Sequence, residues 1–68
     1  MDIELLKKIA AYRMPFGKYS GRLLLQIPDE YFIWFSHKGY PEGELGEIMQ
    51  IVYQLKVDGL TYLFDTLR

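Results

Sequence analysis

Met14-Pro15-Phe16-Gly17-Lys18-Tyr19-Ser20-Gly21-Arg22-Leu23-Leu24-Leu25-Gln26-Ile27-Pro28 is the stretch on which the fold turns. Two glycines four residues apart, with Ser20-Gly21 between apolar flanks, mark a turn. Beyond it Leu23, Leu25 and Ile27 alternate with Leu24 and Gln26, the period of a short strand, and the segment Met14 to Phe16 can pair with it. This pattern predicts a small β-hairpin. A leucine run also suits a helix, so the alternation alone carries the strand assignment.

On either side of this stretch the chain reads as helix. Upstream, Asp2 suits a helix N-cap, and Ile3, Leu6, Ile9 and Ala10 fall on one face. Glu4 and Lys8 stand four apart in the favourable order. Pro15 pushes Met14 out of helical geometry, so this helix should stop near Tyr12 or Arg13.

Downstream, Pro28 fits the first turn of a second helix, with Asp29 and Glu30 near its positive end. Tyr31-Phe32-Ile33-Trp34-Phe35 is apolar all round, which predicts burial on most faces, and Gly39 and Pro41 should end the helix. In the third helix Leu45, Ile48, Met49, Val52 and Leu55 form one stripe, with Gly59 at the expected left-handed stop. A short fourth helix spans Leu60 to Leu67. The expected architecture is therefore α+β, mostly α, a small β-hairpin packed against three or four helices.

At 68 residues the chain (1–68) holds one small globular domain with a thin stability margin. It has no cysteine, which rules out disulfides and thiolate metal sites and fits a reducing cytoplasm. Half of its residues are hydrophobic and 16% are aromatic, enough to fill a small core and leave apolar surface for a homodimer or protein partner. Tyr40, Ile51 and Tyr53, off the main stripe of the third helix, are candidates for such a patch. The run Tyr31 to Phe35 is too short to cross a bilayer, and the acids and lysines of the N-terminus do not form a signal peptide, so the chain is expected in the cytoplasm and off the membrane.

Charge is unevenly spread. From Leu5 to Pro28 there is no acid but five bases, Lys7, Lys8, Arg13, Lys18 and Arg22; from Asp29 onward seven acids face three bases. Such a split fits an anion-binding face, and it also fits charges that simply balance across a folded surface. Within the turn, Gly17 and Gly21 can expose backbone N–H groups to an anion, Lys18 and Arg22 flank them, and Tyr19 can stack on a base. The plainer alternative is a structural turn whose bases are solvated. The spacing is not that of a nucleotide-binding P-loop.

Catalytic chemistry finds little support. His37 is the only histidine, and Ser36, its neighbour in a helix, points about 100° away. His37 beside Lys38 reads as complementing a helix C-terminus. The aromatic run Tyr31 to Phe35 reads first as core and second as a stacking platform. No cofactor, metal site or catalytic residue is expected.

The stretch Met14 to Arg22, followed by Ile27-Pro28, Tyr31 and Trp34-Phe35, then Lys38-Gly39-Tyr40-Pro41 and Lys56-Val57-Asp58-Gly59-Leu60, resembles a family of short bacterial and phage proteins labelled "putative quorum-sensing-regulated virulence factor". The shorter pattern of Phe16, Gly17, Lys18, Gly21, Arg22, Tyr31 and Trp34 is similar to a C-terminal module of exonucleases related to exodeoxyribonuclease X. That second likeness implies a nucleic-acid-associated role without hydrolysis, because no nuclease carboxylates accompany the module. On this likeness and on the acid-free basic stretch, a non-catalytic accessory domain is expected to contact nucleic acid through Gly17, Lys18, Tyr19, Gly21 and Arg22, aided by Lys7, Lys8 and Arg13; the alternative is a protein-interaction or regulatory module.

Overall fold

The computed structural model describes residues 2–67; Met1 and Arg68, the ends of the expected domain, lie outside them. Helix α1 spans Ile3–Ala11, a 3-10 turn Leu24–Gln26, α2 Asp29–Lys38, α3 Glu44–Val57, and a C-terminal 3-10 helix Thr61–Leu67. Among the described residues there is no strand; the single extended pairing is an isolated antiparallel bridge between Arg13 and Leu23. The expected α+β class with a β-hairpin is thus corrected to a helical fold.

The reason lies in the leucine run. Leu24 and Ile27 are fully buried, whereas Leu23 and Leu25 are half-buried, so the buried period is three and not two. Residues three apart eclipse one another in a 3-10 turn. The amides of Gln26 and Ile27 bond back to the carbonyls of Leu23 and Leu24 at 2.9 and 3.2 Å, which removes them from any ladder. On the opposite arm Pro15 has no N–H to extend pairing beyond Met14.

The three α-helices form where the sequence places them. The Asp2 carboxylate accepts the Glu4 amide at 3.0 Å and caps α1, which ends at Ala11. Leu6 and Ile9 face the core, but Ile3 is exposed. Lys8 bonds to Glu44 of α3 in place of the expected partner Glu4. Pro28 stands at the N-cap of α2, and Gly39 ends it, its amide bonded to the Phe35 carbonyl at 2.7 Å. Only part of the aromatic run is core: Phe32 and Phe35 are buried, while Ile33 and Trp34 are exposed. Burial on most faces of α2 is therefore not what forms.

In α3 the stripe Ile48, Met49, Val52 and Leu55 is buried and Leu45 half-buried. The helix closes with a Schellman pair, Leu60 N–H to the Leu55 carbonyl at 2.9 Å and Gly59 N–H to Lys56 at 3.2 Å. Gly46 permits a close crossing: a Cβ there would lie 1.8 Å from the Pro41 carbonyl oxygen. Every element contributes to one core, which includes Ile9 of α1, Met14 of the loop, Leu24, Phe32, Met49 and Phe64. Lys56 ties three parts together. Its ammonium reaches the Leu25 carbonyl and the Asp29 carboxylate, both at 3.3 Å, and lies 5.9 Å from the centre of the Phe32 ring.

Tyr40, Ile51 and Tyr53, the expected partner patch, are half-buried against this core. Tyr40 stacks on Phe35 at 6.2 Å and Tyr53 on Phe32 at 6.3 Å. Exposed large apolar side chains stand elsewhere, among them Ile3 and Leu5 on α1, Phe16 in the loop and Trp34 on α2.

Candidate functional site

The loop between α1 and the 3-10 turn is held by its own backbone. Met14 N–H bonds to the Arg22 carbonyl at 2.9 Å, Gly21 N–H to Met14 at 2.8 Å, and Leu24 N–H to Tyr12 at 3.0 Å. Ser20 N–H bonds to Gly17 and Arg22 N–H to Tyr19, at 3.1 and 3.0 Å. The Arg13 guanidinium closes the base of the loop by donating to the Gly21 carbonyl at 2.7 Å. Buried Met14 anchors this frame to the core.

Two consequences follow for the expected site residues. First, the amides of Ser20, Gly21 and Arg22 are consumed within the loop, so the expected contact of an anion with the Gly21 N–H is not available. Second, Gly17 is fixed by its surroundings: its φ is +79°, and an added Cβ would lie 2.8 Å from the Tyr31 hydroxyl. The loop is pressed against α2 at that point.

Lys18 and Arg22 are exposed, and neither makes an ion pair among the described residues. The Lys18 ammonium lies 5.6 Å from the centre of the Tyr19 ring, a weak cation–π contact. Tyr19 meets Tyr31 edge to face at 4.9 Å, Tyr31 meets Phe35 at 5.1 Å, and Trp34 meets Phe35 at 5.0 Å. Lys18, Tyr19, Glu30, Tyr31 and Trp34 line an open cleft of about 350 Å³.

The remaining expected bases separate from this cleft. Lys7 lines a different depression of about 370 Å³, with Ala10, Leu25 and Phe64. Lys8 is engaged by Glu44, whose hydrogen bond and charge raise the lysine above its ordinary pKa. Arg13 spends a donor inside the loop. The structure thus brings Gly17, Lys18, Tyr19, Gly21, Arg22 and Arg13 into one loop but gives Lys7 and Lys8 other surroundings.

Trp34 is the site residue that sequence reasoning placed in the wrong layer. It is 53% exposed. Tyr31 and Trp34 stand three apart and share a helix face, while Phe32 and Phe35 share the next. That offset between two aromatic pairs was the available signal.

No catalytic arrangement is evident around Ser36, whose hydroxyl donates to the Ile33 carbonyl at 2.6 Å. Among the described residues no three His, Asp or Glu side chains gather as metal ligands, and no helix is long and apolar enough to cross a membrane. Burial, and secondarily the neighbouring Tyr53, raises the pKa of the Tyr40 phenol.

Comparison with known proteins supplies the relationship. Two relatives, each named "Uncharacterized protein YpeB", come from Escherichia coli strain K12 and Escherichia coli O157:H7. Each is 49% identical to this chain over 69 residues, covering 100% of the chain and 96% of the relative. No solved structure matches. The family described as "Putative quorum-sensing-regulated virulence factor" matches residues 2–67, and to that family the chain belongs.

Proposed function

We propose that this protein is a non-catalytic module that contacts a nucleic-acid backbone through the Gly17–Arg22 loop. Lys18 and Arg22 are the phosphate partners, and Arg13, Gly17 and Gly21 hold the loop in shape. One observation carries the reading: a loop stapled by its own hydrogen bonds presents two exposed cations that no carboxylate neutralises among the described residues. A rigid cationic loop loses little entropy when it meets a phosphate, which is what a contact of two charges needs. The likeness of Phe16, Gly17, Lys18, Gly21, Arg22, Tyr31 and Trp34 to an exonuclease-associated module supports it. Lys7 and Lys8 add at most long-range attraction, since Lys8 already has an acidic partner.

The test is binding of labelled DNA and RNA across a salt series. Lys18→Ala/Arg22→Ala should weaken binding and reduce the slope of log affinity against log salt by about two. An unchanged slope sinks the reading.

A second reading, a protein-interaction module or homodimer, is favoured by α1, where Ile3 and Leu5 stand exposed. Sedimentation velocity over a concentration series distinguishes it: a dimer that Ile3→Ser/Leu5→Ser dissolves would support this reading, and a strict monomer would count against self-association.

A further inference from the structure

We propose that the cleft of Lys18, Tyr19, Glu30, Tyr31 and Trp34 is a subsite for one unpaired nucleobase, so that the ligand of the loop is single-stranded nucleic acid. This rests on the loop being a phosphate contact and adds what stands beside the phosphate. Trp34 is the key residue. A tryptophan in so small a domain usually contributes its area to the core, yet this one leaves 53% of its surface in solvent. Its ring stands edge to face with that of its buried neighbour Phe35, centroids 5.0 Å apart. Tyr31 is fixed between Tyr19 and Phe35 at 4.9 and 5.1 Å. A positioned and exposed aromatic surface suits stacking by any base, because every base has a π face.

The cleft's volume and charge point to the same ligand. At about 350 Å³ it lies at the small end of ligand pockets, roughly 300 to 1,000 Å³, which suits one base and not a duplex edge. Lys18 lines the cleft and exposed Arg22 belongs to the same loop, so the cleft has a cationic edge at Lys18. Glu30 lines the cleft as well, and its charge disfavours a phosphate inside it. A base within and a phosphate at the loop satisfies both signs. A paired base cannot enter, since its faces are already stacked. An aromatic cleft with one carboxylate also resembles a cage for a methylated ammonium, but the Lys18 ammonium 5.6 Å from Tyr19 already repels a second cation there.

Trp34 is the only tryptophan, so its fluorescence reports this cleft alone. The probes are an oligothymidylate of about ten nucleotides, a duplex of the same length, and trimethyl-lysine. The expected result is quenching by the single strand and none by the duplex. Trp34→Ala should lower single-strand affinity about 5- to 150-fold, while Trp34→Phe restores most of it. Unchanged circular dichroism and thermal midpoint verify that these variants fold, as expected for a side chain half in solvent. If single strand and duplex bind alike and Trp34→Ala changes neither, the subsite falls while the phosphate contact survives. If neither nucleic acid binds at low salt, the loop reading falls and takes the subsite with it. Quenching by trimethyl-lysine and not by the oligonucleotide would overturn the proposal in favour of a cation cage.

Discussion

The loop from Tyr12 to Leu24 and helix α3 are both ordered, but different forces order them. In α3 the backbone bonds are those any helix makes, and packing decides its position: Ile48, Met49, Val52 and Leu55 are buried together on one face. In the loop the packing is lighter, with Tyr12 and Tyr19 only partly buried against the core. Met14 alone reaches full burial between Tyr12 and Leu23, and cross-loop hydrogen bonds from Met14, Gly21, Leu24 and Arg13 fix the rest. A segment held by hydrogen bonds leaves its side chains free, and so Lys18 and Arg22 remain in solvent. A segment held by packing has spent its side chains on the core.

Four substitutions or conditions sharpen this contrast. The largest effect is expected in α3, where packing has no slack. Gly46→Ala sets a methyl group 1.8 Å from the Pro41 carbonyl oxygen, so Tyr40 to Gly43 or the helix itself must move. The cost should be about 3 kcal/mol or more, a large share of a small domain's stability, and should appear as a much lower thermal midpoint. If the midpoint falls by only a degree or two, the crossing is looser than this geometry.

Gly17→Ala comes next. It meets a φ of +79° and the Tyr31 hydroxyl at 2.8 Å, one rigid term and one that a side chain can relieve. About 1–2 kcal/mol should be lost, with a shift in the Tyr31 ring resonances by NMR. In the loop proper, Arg13→Ala removes one charge-assisted bond to the Gly21 carbonyl. Global stability should change by about 1 kcal/mol, whereas hydrogen exchange at the Gly21 and Met14 amides should quicken severalfold while that of α3 hardly changes. Equal acceleration in both regions would show that loop and helix open as one unit.

The smallest effect is expected from alkaline pH. The Glu44 hydrogen bond raises the Lys8 pKa, so its contribution is present below the ordinary lysine value and is lost as pH climbs through the raised one. Burial raises the Tyr40 phenol, so the unfolded chain releases that proton first. In both cases the native state binds more protons than the unfolded state, and stability falls as pH rises above about 10. Urea titrations at neutral and alkaline pH should show that fall, and Tyr40→Phe should reduce it. An alkaline slope that Tyr40→Phe leaves unaltered would assign the effect elsewhere.

What could be read in advance follows the same division. Asp2, Gly39 and Gly59 mark helix ends because caps and left-handed stops depend on a few adjacent residues. The α3 stripe was legible because burial repeats with the helix period. The loop was legible as a turn and its exposed bases as candidates, but not its internal bonding, which ties Arg13 to Gly21 and uses up the Gly21 amide expected to face an anion. Trp34 was hidden because two aromatic pairs one position apart merge into a single apolar run.

The sequence by itself determined where helices start and stop, which face of α3 is buried, and that a turn lies at Gly17–Gly21. These are local matters, settled by backbone freedom and periodicity within a few residues. Only the tertiary structure decided that Leu24–Gln26 coils where a strand was expected, that Lys8 finds Glu44, and that Lys56 binds Leu25 and Asp29. It also decided that Trp34 faces solvent beside Lys18. Each of these depends on which distant group arrives to accept a hydrogen bond, match a charge or cover an apolar face, and a local pattern carries no record of that arrival.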